Sequence, residues 1–129
     1  MKKIIILTGS SLRHTFFRQY MASSSDIDVI NSYCEGEERS LRKQAEKDVL
    51  SDNTVRLQHL SAREGTEQDF FENFVDMIKD QSSPVFIPKG DINNKKYTDI
   101  IVNSNADLLV AYGCSIIKGP LLSAFAGRF

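Results

Sequence analysis

The chain has 129 residues, 41% of them hydrophobic, enough to bury one core and too few for two. With 16 basic and 17 acidic residues its formal net charge is -1, so no overall field draws in nucleic acid or an anionic membrane. No segment approaches the roughly 18 apolar residues of a membrane span, and the run after Met1-Lys2-Lys3 stops at Leu7, short of a signal peptide's apolar region. A cytoplasmic protein with no membrane partner is therefore expected. Cys34 and Cys114 lack metal-ligand spacing and read as reduced thiols with a structural or incidental role.

In chain order, "KKIIILTGSS" is a β-branched run closed by a turn, the pattern of a buried strand. Leu12, Phe16, Phe17, Tyr20 and Met21 then recur on one helical face until "SSS" breaks the period. "IDVINSY" predicts a second strand. The stretch from Glu35 to Gly65 is charged and polar and reads as a helical insertion, with a solvated helix over residues 39–50 carrying Leu41, Ala45 and Val49 on its apolar edge. In "TEQDFFENFVDMIKD", Thr66 and Asp69 suggest a capping box and hence a helix start, with Phe70, Phe71, Phe74, Val75 and Ile78 as its face. "SPVFIPK" predicts a third strand, Tyr97, Ile100 and Ile101 a helix, and "DLLVAYG" a fourth strand. Strands alternating with helices imply one α/β domain over residues 1–129, an open and mainly parallel sheet with flanking helices.

The turn after the first strand invites a phosphate reading, but "LTGSSLRHTFF" holds neither G-x-G-x-x-G nor a P-loop lysine. Gly9, Ser10 and Ser11 can still offer amide and hydroxyl donors to an anionic group at a helix N-terminus. Arg13 and His14 follow at the place where an open α/β sheet meets its ligands, able to bind a carboxylate or phosphate, although a surface histidine is the plainer reading. His59 reads as surface. The acidic run from Glu35 to Glu38 reads as solvated carboxylates rather than a metal site. On motifs alone the chain is an α/β ligand-binding unit with no nucleophile elbow and no catalytic triad order.

The closing stretch, "ADLLVAYGCSIIKGPLLSAFAGRF", resembles the folate-dependent formyltransferases, the group that includes glycinamide ribonucleotide transformylase, methionyl-tRNA formyltransferase and the sugar-nucleotide formyltransferases. Asp107, Ala111, Ile116, Ile117, Leu121, Leu122, Gly127 and Arg128 match the family pattern without a gap, over about a fifth of the chain. Cys114-Ser115 stands where members often carry a basic or aromatic residue, and Gly119-Pro120 interrupts the following helix, which a first helical turn tolerates.

The resemblance implies a Rossmann-like formyltransferase N-terminal fold and formyl transfer from 10-formyltetrahydrofolate to an amine. The pterin would lie against Gly113, Cys114, Ser115 and Ile117, held by main-chain groups of Ser115 and Ile117 and packed by Val110 and Leu122. Gly9, Ser10, Ser11 and His14 would face the acceptor, a small-molecule amine, phosphorylated or sugar-linked. The balanced charge argues against tRNA. By the same resemblance the chain ends before the Asn-x-His strand and the later aspartate. It is then expected to be the N-terminal part of a formyltransferase domain, inactive alone, with an exposed sheet edge that invites a homodimer. A non-catalytic α/β binding or interaction module is the alternative.

Overall fold

The structure, a computed structural model, describes residues 1–36 and 53–129. Along the chain run β1 (Lys2–Thr8), α1 (Leu12–Ala22), β2 (Ile27–Glu35), α2 (Asn53–Met77), β3 (Pro84–Ile87), a 3-10 turn (Asp91–Asn93), α3 (Lys95–Val102), β4 (Leu108–Tyr112) and α4 (Gly119–Ala124). The strands form one all-parallel sheet in the order β3-β2-β1-β4. After β3 the chain returns past β2 and β1 to add β4 on the far side, so the order reverses between β1 and β4. The α/β architecture is Rossmann-like, as the alternation of elements predicts.

β1 is apolar at consecutive positions because both of its faces are covered. Ile5 and Leu7 join Tyr33, Leu109, Ile92, Ile101, Leu121 and Phe125 on the α3 and α4 side. Ile4 and Ile6 join Val29 on the other, beneath Phe17 and Met21 of α1. The two-residue period of a strand sorts one run into two cores. Asp107 fixes the start of β4: its amide donates to the Lys3 carbonyl at 2.7 Å and its carboxylate accepts from the Lys3 amide at 2.8 Å, a bond that lowers the carboxyl's pKa. Asn94 caps α3 by accepting from the Lys96 amide at 3.0 Å. Pro120 sits in the first turn of α4, where its missing N–H leaves no helical bond unmade.

Two expectations are corrected. Thr66 does not start a helix: α2 begins at Asn53 and runs through Gly65, and the Thr66 hydroxyl donates back to the Ala62 carbonyl at 2.9 Å, the bond a mid-helix threonine makes. The insertion and the Phe-rich helix are thus one element from residue 53 onward, while the helix expected over 39–50 lies outside the described residues. The Phe face is also shallower than its period suggests. Phe16 of α1 packs on Phe71 and Phe74, but Phe70 is 79% exposed.

The buried side of α1 is polar where it meets the sheet and α2. Arg18, 2% exposed, donates to Thr8 Oγ1 at 3.0 Å and Thr15 Oγ1 at 3.3 Å and pairs with Asp80 at 3.3 Å. Asp80 in turn accepts from Ser82, whose hydroxyl meets Ser32 Oγ at 2.7 Å. Gln19 donates to the carbonyls of Val75 and Ile78. Asp80→Ala, which strands the buried guanidinium, is expected to destabilise the protein by roughly 3 kcal/mol, read as a fall in the urea midpoint at unchanged slope.

Candidate functional site

At the C-terminal ends of β1 and β4, where an open parallel sheet parts its crossovers, two loops face each other. One is Gly9-Ser10-Ser11, the other runs from Gly113 to Lys118. Between them lies His14, 3% exposed rather than on the surface, because α1 begins at Leu12 and turns its third residue inward. The contact demands glycine on both sides. A Cβ at Gly9 would stand 2.8 Å from the imidazole and 2.9 Å from the Gly113 carbonyl oxygen, and one at Gly113, whose φ is 73°, would overlap Nε2. Tyr112 closes the site with its ring edge-on to the imidazole, centroids 4.9 Å apart.

The local hydrogen bonds define the histidine's state. The Ser11 amide donates to Nδ1 at 3.2 Å, so Nδ1 is an acceptor and the proton of the neutral ring sits on Nε2. Burial, and after it the nearby Arg13 guanidinium, lower the pKa from 6.5 to about 4. Nε2 is buried without a hydrogen-bond partner among the described residues, as is Ser10 Oγ in the same loop. Part of the helix N-terminus is already taken by the protein's own groups. Glu67 of α2 already accepts from the Arg13 amide at 2.7 Å and from its guanidinium at 3.0 Å.

Glu35 is the residue shaping this site that sequence reasoning missed. Rather than a solvated member of an acidic run, it is the last residue of β2, fully buried. Its carboxylate accepts from the Gly90 amide at 2.5 Å and from the Ser115 amide, with Lys89 Nζ 4.0 Å away. The loop after β4 is held a second time by Asn93, whose side chain donates to the Ile116 carbonyl at 2.8 Å and accepts from the Lys118 amide at 2.8 Å. Ile117 stands between those two anchors.

The residues expected to hold a pterin do not form one wall. Cys114 and Ile117 pack toward the core beneath α3 and α4, whereas Val110 lies on the opposite face of the sheet with Ile4 and Ile6. Leu122 is exposed on α4. The Ser115 amide is engaged by Glu35, which leaves its carbonyl and the peptide groups of Ile117 for a ligand. Burial raises the pKa of both Cys34 and Cys114, so neither thiol is primed as a nucleophile. Among the described residues no group of three or more His, Cys, Asp or Glu could hold a metal, and no helix is long and apolar enough to cross a membrane. His59 is exposed, on a groove between α1 and α2 that Arg13 and Phe70 also line.

Comparison of the chain with protein-family models, curated proteins and solved structures returns no match.

Two outcomes follow from this geometry. With the folded pKa of His14 below its unfolded value, the folded state binds fewer protons. The stabilisation is full above pH 6.5 and is lost as pH falls toward about 4. Urea midpoints measured across that window should show wild type losing on the order of 2 kcal/mol that His14→Phe does not lose. Glu35→Gln, which removes the charge from two hydrogen bonds, should speed amide exchange at Ser115 and Gly90 about tenfold while leaving the β1 amides protected.

Proposed function

We propose that this chain supplies the donor-facing and acceptor-facing loops of a formyltransferase, moving a formyl group from 10-formyltetrahydrofolate to a small-molecule amine. One observation carries the reading. The loop that resembles the folate-binding segment, residues 113–117, and the loop assigned to the acceptor, residues 9–11, come within contact distance of each other at the reversal of strand order. Both roles come from the resemblance, and the turn after β1 independently offers amide and hydroxyl donors at a helix N-terminus.

The peptide groups present fit a pterin edge in part. A pterin needs adjacent donors and acceptors, and the backbone around Ile117 offers both while Asn93 holds each neighbouring peptide in place. Ser115 contributes a carbonyl, its amide being taken by Glu35. 10-Formyltetrahydrofolate would bring an activated formyl carbon, and the chain's own part is to bind and orient. The acceptor loop offers Ser10 Oγ and His14 as donors and holds no unpaired cation, because Arg13 is matched by Glu67. That favours an amine acceptor recognised through neutral groups over one recognised through a phosphate. Localisation in the cytoplasm and self-association belong to the same proposal. The Leu109 amide on the outer edge of β4 already donates to the Arg128 carbonyl at 2.9 Å, so an edge-to-edge dimer would pair through the part of β4 beyond it.

Titration of ¹⁵N-labelled protein with 5-formyltetrahydrofolate, a stable analogue of the donor, tests the reading. Shifts should concentrate at the amides of residues 113–118. Shifts confined to other loops, or binding of a flavin or nucleotide at the crevice with no response to the folate, would remove the formyltransferase reading and leave a binding module.

A further inference from the structure

One ring nitrogen of His14 has a structural partner and the other has none among the described residues. Its Nδ1 is tied to the Ser11 amide at the start of α1, which places the proton on Nε2. Nε2–H points at Gly113 and finds no acceptor among the described residues. A buried donor left without a partner carries a cost of order 1–3 kcal/mol, and such groups in native proteins have a reason. Ser10 Oγ, four residues earlier in the loop before α1, is buried and unpartnered too.

The surroundings select what Nε2–H can bind. Each cation near the imidazole is already matched by a carboxylate: Arg13 by Glu67 at 3.0 Å, Arg18 by Asp80 at 3.3 Å and Lys89 by Glu35 at 4.0 Å. Two amides at the helix N-terminus are engaged as well, Ser11 by Nδ1 and Arg13 by Glu67. An anion would meet no unmatched positive charge there and would have to compete with the Glu67 carboxylate. An uncharged acceptor needs none, and a neutral imidazole donor near a helix N-terminus is suited to it.

We propose that His14 donates its Nε2–H to an uncharged carbonyl oxygen of the ligand, which reaches it at Gly113, between the loops that follow β1 and β4. The assignment rests on the crevice as the ligand site proposed above, and it adds the chemical class of the group recognised there, an amide or formyl oxygen rather than a phosphate or carboxylate. Gly113 serves it twice, because a side chain there would overlap Nε2 and the positive φ is one that glycine adopts without strain.

The test uses the full chain with ¹⁵N-labelled histidine. At neutral pH the His14 side chain should report the Nε2–H tautomer. Formamide, the smallest neutral carbonyl probe of this type, should shift the Nε2–H resonance and the Gly113 amide, and inorganic phosphate at equal concentration should not. An Nδ1–H tautomer, no response to formamide, or an equal response to phosphate overturns the proposal. His14→Phe should lose the formamide response at Gly113 and bind 5-formyltetrahydrofolate about tenfold more weakly, with His14→Gln, which keeps a neutral N–H donor, recovering most of that loss. The wild-type measurement stands even if a variant fails to fold. If the folate does not bind but the formamide response holds, the folate reading falls alone. If the folate binds and leaves Nε2–H unmoved, the donor assignment falls alone.

Discussion

An imidazole wedged between two glycines sets how the ends of β1 and β4 meet. His14 occupies the volume that side chains at Gly9 and Gly113 would claim, so the two loops approach each other only as far as the ring allows. The packing of Tyr112 follows, since its ring edge lies against both His14 and Phe17. From the other side the β4 loop is tied to β2 by Glu35 and to the 3-10 turn by Asn93. Groups from the start of α1, the end of β2, the 3-10 turn after β3 and the loop after β4 therefore shape one crevice.

The same geometry shows how a familiar device can be redirected. A helix that starts after a parallel strand presents free amides and a partial positive charge, and many folds place a phosphate there. Here a carboxylate of the protein itself, Glu67, takes that place from a helix 54 residues downstream. What remains unpartnered among the described residues is neutral: a serine hydroxyl and an imidazole N–H, both buried. Discrimination by such groups depends on matching donors to acceptors. A site of this kind rejects a ligand that leaves its buried polar atoms unpaired more strongly than one that differs by a methyl group.

The strands were legible because each is a short apolar run between turn residues, and a strand covered on both faces needs nothing else. Helix α3 was legible from the spacing of Tyr97 and Ile101, and the tolerance of Pro120 from its place at a helix start. The start of α2 was not, since Thr66 and Asp69 imitate a cap that the hydroxyl's bond to Ala62 makes unnecessary. The inner side of α1 was read through its aromatic residues, but the positions facing β1 and α2 are His14, Arg18 and Gln19. Polar residues read as exposed unless their partners are known, and the partners of these three include Thr8, Val75, Ile78 and Asp80. Glu35 illustrates the same limit. In sequence it opens an acidic run, while its two partners, Gly90 and Ser115, are 55 and 80 positions away. Gly9 and Gly113 were both noted in the sequence, yet nothing in a linear reading says that one side chain requires them both.

The distribution of these contacts also decides which side of the crevice can yield. On the α1 side, Arg18 joins the helix to β1 through Thr8 and to the segment before β3 through Asp80, and Gln19 ties it to the end of α2. Those bonds are buried or half-buried, and moving α1 would expose a guanidinium and several polar atoms together. The β4 side is different. Its loop leaves the sheet at a glycine with positive φ, is exposed at Gly113 and Ile116, and is held by the carboxylate of Glu35 and the half-buried side chain of Asn93. Breaking the Asn93 pair costs little, because water replaces hydrogen bonds at an exposed site. Glu35 is the stronger tether, and it acts on Ser115, beyond Gly113. The β4 side is therefore the one held by fewer buried bonds, and its stronger anchor at Ser115 lies beyond the glycine that packs on His14.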